Sequence, residues 1–161
     1  VKTSGSTGLH VLLPLGRQVT YEQSRQLAGL IVQLVEAERP DIATTARVID
    51  ARGGKVYLDW LQNRHGQLLV APFSVRPLPG APVSMPLRWS EVNRRLDHRR
   101  FTIRTARRRL ERLGDDPVLP VLTRVPDLIG VLERLEVRMR SRGDDPPPRA
   151  RRPRPRPRKV R

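Results

Sequence analysis

A chain of 161 residues with 32 Lys and Arg against 16 Asp and Glu carries a formal charge of +16. Such a field concentrates polyanions and gains from counterion release on contact, so nucleic acid is the first partner it implies. The length suits one ordinary domain plus an extension rather than two independent cores. The absence of cysteine excludes disulfides and thiolate metal sites. The longest apolar stretches fall far short of the roughly 18 residues that span a bilayer, and no charged-then-apolar leader opens the chain. The sequence therefore reads as soluble and cytoplasmic, with no membrane partner.

The chain opens VKTSGSTGLHV, a Gly/Ser/Thr-rich loop closing on His10. Small polar residues with two glycines leave backbone N–H groups unshielded beside hydroxyls, which is the chemistry of a phosphate cradle. HVLLPL then reads as a short strand ended by Pro14. Thr20 and Gln23 have capping-box spacing ahead of a helix over residues 21–38. Leu27, Ala28, Leu30, Ile31, Leu34 and Val35 make its apolar face; Glu22, Arg25, Gln26 and Glu36 point to solvent.

GKVYLDW alternates, with Lys55, Tyr57 and Asp59 on a polar side and Val56, Leu58 and Trp60 toward the core. A turn ending at Gly66 and the run LLVAPF make residues 54–73 read as an antiparallel hairpin. Residues 74–86, SVRPLPGAPVSMP, hold four prolines and one glycine and read as a rigid extended loop able to fix Arg76. RTARRRLERLG and PDLIGVLERLEVRMRSR space Leu, Ile and Val three or four apart and read as two C-terminal helices with solvated basic faces. The GDD strings at 114–116 and 143–145 read as helix ends, and His65 and His98 stand without a second ligand at metal-site spacing. From Gly143 the sequence GDDPPPRARRPRPRPRKVR has nothing to nucleate a core. It is read as a disordered basic tail, set apart from a body of residues 1–142. Its Arg149, Arg151, Arg152, Arg154, Arg156, Arg158, Lys159 and Arg161 are the candidate DNA-backbone contacts.

The fold class these patterns indicate is α/β (α+β): a mainly antiparallel sheet, containing the opening strand and the 54–73 hairpin, flanked by helices. TSGSTG by itself resembles the phosphate loop of adenylate-forming enzymes, which usually continues into Pro-Lys where this chain has Leu9-His10. The ordered blocks KTSGSTGLHV, GKVYLDWLQN, VAPFSVRPLPGAPVSMPLRW and LDHRRFTIRT resemble instead the primase-polymerase domain of bacterial ATP-dependent DNA ligase D. That domain belongs to the archaeo-eukaryotic primase superfamily, and the resemblance covers residues 2 to about 135.

The resemblance implies a primase-like fold and nucleotidyl transfer in nonhomologous end joining of double-strand breaks, with NTP or dNTP as substrate. It places Ser4, His10 and Arg76 on the nucleotide triphosphate. Asp59 becomes the catalytic, metal-binding carboxylate for Mn or Mg. Thr7 stands where many relatives carry a basic residue. Partners implied are DNA ends, a ligase domain, the Ku end-binding protein and a separately encoded N-terminal half, in a bacterial, nucleoid-associated setting. Phosphoryl transfer needs metal-held carboxylates beside a phosphate cradle, and a histidine or guanidinium can donate to phosphate oxygens. The family's Asp-x-Asp motif occurs nowhere in this sequence. The chain is therefore expected to be the C-terminal half of the domain, from a truncated gene, misplaced start, split protein or deliberately made fragment, and inactive alone. A non-catalytic DNA-binding module or an inactive remnant is the alternative.

Overall fold

The strand β1 (Lys2–Thr3) pairs antiparallel with β2 (Leu9–His10), matching Lys2 with His10 and Thr3 with Leu9. In the computed structural model, which describes residues 1–143, β1 is hydrogen-bonded on both edges. Its second neighbour is the stretch 83–87: Thr3 N donates to Met85 O at 2.9 Å and Leu87 N to Val1 O at 2.9 Å. The Thr3 hydroxyl adds a cross-link, donating to Val83 O at 3.0 Å and accepting from Met85 N at 2.8 Å. Val83, Ser84, Met85 and Leu87 are consequently deeply buried, each 2% exposed or less, as are Lys2 and Thr3.

This corrects the reading of 74–86 as a loop. The segment is a hairpin that enters the core: Val75 bridges Val83 antiparallel, and Arg76 N donates to Pro82 O at 2.8 Å. Its prolines do not prevent this, because Pro82 serves the pairing through its carbonyl. Pro86 lies between two residues whose N–H groups make the bonds to β1.

The expected hairpin over 54–73 is not formed. The strand β4 (Val56–Tyr57) instead pairs in parallel with β3 (Ala43–Thr44), Val56 N donating to Ile42 O and Leu58 N to Thr44 O, both at 2.8 Å. LLVAPF makes no strand, and Leu68 and Leu69 are exposed. With only one paired edge, β4 also leaves Val56 exposed, against its expected core position. Antiparallel pairing still predominates, through β1/β2 and three isolated bridges, so the α/β class with small sheets and flanking helices stands.

The helix α1 (Tyr21–Glu38) has the expected bounds and its capping box: Thr20 Oγ1 accepts from Gln23 N at 3.2 Å and Gln23 Oε1 from Thr20 N at 2.9 Å. Leu27 and Gly29 are its buried residues, and the Trp60 ring lies where a Gly29 Cβ would meet it at 3.4 Å. Two side chains assigned to solvent are engaged. Arg25 lies over Trp60 at 5.3 Å. Both Glu36 oxygens accept from Thr45, from its N–H at 2.9 Å and its hydroxyl at 2.6 Å, which clamps the helix to the end of β3.

Next come α2 (Ile103–Leu113), the single turn α3 (Pro120–Thr123) and α4 (Leu128–Gly143). Gly114 closes α2 with φ +71°, so the first GDD string is a helix end. Residues 1–128 form one compact unit; α4 supplies the described part of a second, which begins at Ile129. Within it Arg140 pairs with Glu136 one turn earlier at 2.5 Å. Among the described residues no helix is long and apolar enough to cross a membrane.

Truncating Leu87, 1% exposed, to alanine should cost about 2–5 kcal/mol. Thr20→Ala, which removes only the α1 cap, should cost about 1 kcal/mol. Urea unfolding followed by circular dichroism measures both.

Candidate functional site

Five residues, Ser4 to Gly8, connect β1 to β2. Ser4 N donates to Gly8 O at 2.8 Å, closing the loop, and Ser4 Oγ accepts from Ser6 N and Gly8 N, each at 3.1 Å. Two of the N–H groups expected to be unshielded are thus turned inward. The Ser4 hydroxyl keeps its own proton to donate. Gly5 has φ +70°, and a Cβ there would sit 2.6 Å from Arg76 Cγ and 3.2 Å from Ser84 N. Glycine is therefore what lets the Arg76 stem lie across the loop, and the 73–84 hairpin delivers that arginine. Arg76 Nε is buried with no hydrogen-bond partner, a donor without an acceptor.

His10 lies beside Lys2, its cross-strand partner, on the same face of the hairpin. Lys2 Nζ is 2.8 Å from His10 Nδ1 and donates to Ser84 Oγ at 2.6 Å; Ser84 in turn donates to Thr3 O at 2.7 Å. Lys2 is fully buried. Burial, and then the nearby Arg76 charge, lowers its pKa to about 8. Burial, and then the Lys2 and Arg76 charges, lowers the pKa of His10, with Asp59 opposing.

Asp59 is the negative group among these influences on His10. Asp59 follows β4, is exposed, and accepts from Leu61 N at 3.1 Å. With Tyr57 it lines a cavity of about 290 Å³ that also receives Arg25, Arg47 and Arg64. Tyr57 lies under Arg52 at 4.0 Å. Lys55 does not line this cavity, and neither do Ser4, His10 or Arg76. The fold thus brings Ser4, His10 and Arg76 to the β1–β2 loop, while Asp59 lines a separate basic hollow. Among the described residues no three His, Cys, Asp or Glu side chains gather as a metal site. His65 stacks edge-on against Tyr21 at 5.6 Å. The tail residues Arg149, Arg151, Arg152, Arg154, Arg156, Arg158, Lys159 and Arg161, and the second GDD beyond Gly143, lie outside the described residues.

Lys2 and Ser84 went unassigned in the sequence. The signal for Lys2 was available: a five-residue loop between paired strands sets it opposite His10. Ser84 had none, because its proline-rich surroundings read as a loop.

The fold and the loop define the class as a small-sheet α/β domain with a Gly/Ser loop, a histidine and an arginine brought together at one sheet end. Comparison makes the class specific: the profile of the LigD primase-polymerase domain family matches residues 1–118. The chain belongs to the LigD primase-polymerase domain family. It is 37% identical over 114 residues to the bifunctional non-homologous end joining protein LigD of Bacillus subtilis, covering 70% of this chain and 19% of that protein. It is 32% identical over 141 residues to the multifunctional LigD of Pseudomonas aeruginosa, covering 87% and 16%. The polymerase domain of Mycobacterium tuberculosis ligase D, solved in complex with DNA, superposes with a TM-score of 0.70 at 30% identity, covering 78% of this chain and 43% of that one. The chain thus spans less than a fifth of the length of these LigD proteins.

Between pH 8 and 10.5 the unfolded chain holds the Lys2 proton that the folded chain has released, so folding stability should rise with pH across that window. Lys2→Met should remove this rise, as read from urea midpoints at pH 8 and pH 10.

Proposed function

We propose that this chain binds the triphosphate of an incoming nucleotide and contributes Asp59 to nucleotidyl transfer at DNA ends during non-homologous end joining. One observation carries the reading: the Arg76 stem lies against Gly5 of the 4–8 loop while His10 stands on the strand that leaves it. Three phosphate-seeking donors are thereby held around one loop: the Ser4 hydroxyl, the His10 ring and the Arg76 guanidinium. A phosphate oxygen would also satisfy the buried Arg76 Nε. Membership of the LigD primase-polymerase domain family supports the assignment, and the related polymerase domain solved with DNA supports DNA as the partner.

The Mn or Mg implied for such a reaction does not fit the residues of this chain alone. Asp59 offers one carboxylate, and among the described residues no others gather around it. The chain's own contribution is to bind and orient the triphosphate and to place one acidic ligand beside it. Productive transfer then needs an Asp-x-Asp segment, which this sequence lacks.

ATP should bind the isolated chain and lose about tenfold or more in affinity on Arg76→Ala, the scale of a lost charge-assisted contact. Primer extension with manganese should be absent for residues 1–161 alone. It should appear when an Asp-x-Asp half of a relative is supplied, and Asp59→Ala should abolish it. Extension by residues 1–161 alone would overturn the metal-site account. Extension by the reconstituted Asp59→Ala protein would remove Asp59 from the reaction.

DNA binding should be steeply salt-dependent. Deleting residues 143–161 should lower the slope of log affinity against log salt, measured by fluorescence anisotropy; an unchanged slope would remove the tail from the interface.

A further inference from the structure

We propose that Lys2 is a positioning residue for His10: by donating to Nδ1 it fixes the imidazole as the neutral Nε2–H tautomer and leaves Nε2–H as the donor to the ligand's phosphate. The inference rests on the triphosphate reading above for its purpose, but its geometry stands apart from any ligand. A lysine head group has N–H donors and, while charged, no acceptor. The ring atom 2.8 Å from it is therefore the one carrying the lone pair, and the proton of a neutral ring must sit on the other nitrogen.

Lys2 is itself held. It is fully buried on β1 and donates to Ser84 Oγ, and Ser84 spends its proton on Thr3 O, so its oxygen can only accept from Lys2. The chain of donors runs in one direction, from Ser84 to the backbone and from Lys2 to both Ser84 and His10. An imidazolium would set an Nδ1–H against the lysine donor, and burial followed by the neighbouring Lys2 and Arg76 charges lowers the pKa of His10 in keeping with this. A histidine aimed by a cation stays neutral and donates from one fixed atom, where a free histidine would exchange tautomers and charge near neutral pH.

Long-range proton–nitrogen correlation spectra of the ¹⁵N-labelled full chain read this directly. The sequence has three histidines, and His10→Gln identifies the signal. At pH 7, a unit below the Lys2 pKa of about 8, His10 without nucleotide should show the Nε2–H tautomer as its dominant form, with Nδ1 as a hydrogen-bond acceptor. Lys2→Met should yield mixed tautomers and about a tenfold loss of ATP affinity. Ser84→Ala, which leaves Lys2 in place but loosens it, should shift the same signals partway. An Nδ1–H tautomer or an imidazolium in the unsubstituted chain would overturn the proposal even if Lys2→Met failed to fold. So would a Lys2→Met protein that folds and keeps the pure Nε2–H signature. If the signature is present and Lys2-dependent but ATP affinity is the same in His10→Gln and Lys2→Met as in the unsubstituted chain, the positioning geometry holds and the triphosphate reading fails instead.

Discussion

The buried ammonium of Lys2 is the constraint on which the rest of the 1–128 unit turns. A charge removed from water is tolerated only where acceptors surround it, and Lys2 has two, one of them fixed in turn by a third group. His10 comes from β2, Ser84 from the proline-rich hairpin, and Thr3 O, bound by Ser84, from β1 itself. Satisfying one side chain therefore fixes the register of β1 between its neighbours. A one-residue slip would turn Lys2 to the opposite face and strand its charge. The same register puts the 4–8 loop against Arg76, so the core and the site are specified by one set of bonds.

Local signals in the sequence were enough where the structure is local. The bounds of α1 follow from the Thr20–Gln23 box and a repeating apolar face, and the end of α2 from Gly114, because each is decided within a few residues. The strands obey longer-range terms. GKVYLDW has the period of a strand and contains one, but periodicity does not name the partner, and β3, whose residues lie thirteen positions before those they pair with, is the partner in place of LLVAPF. The prolines of 74–86 argued for a rigid extended loop, whereas residues 83–87 lie among the most buried of the described residues. What decides that segment is pairing with β1 some 80 residues away, which no local pattern reports.

The site was legible through chemistry more than through placement. Ser4, His10 and Arg76 were chosen as phosphate donors by type and by resemblance, and the fold holds them around one loop. The role of Gly5 emerges only from the contact it permits with Arg76, and that of Lys2 only from its burial. Glu36 and Arg25 show the converse error. Polar residues on an amphipathic helix are usually solvent-facing, but here Thr45 occupies one and Trp60 the other.

Electrostatics ties this scaffold to the proposed ligand. Lys2, His10 and Arg76 crowd cationic or cation-capable groups around the loop, and the pKa values of Lys2 and His10 are lowered first by burial and then by these neighbouring charges. Only Asp59 opposes this at His10. A site built to bind a neutral molecule gains nothing from that arrangement. A polyphosphate reverses its sign, because each cation that raises the energy of the empty loop lowers that of the filled one. Binding of the proposed polyphosphate would then return stability that the fold gives up in assembling the site. In the proposed complex the Lys2–His10 contact would divide that gain: Arg76 would supply a guanidinium contact to the anion, and His10 a directed hydrogen bond. Charge sets the affinity at such a loop and the tautomer sets the geometry, and β1 carries the residue that controls the second.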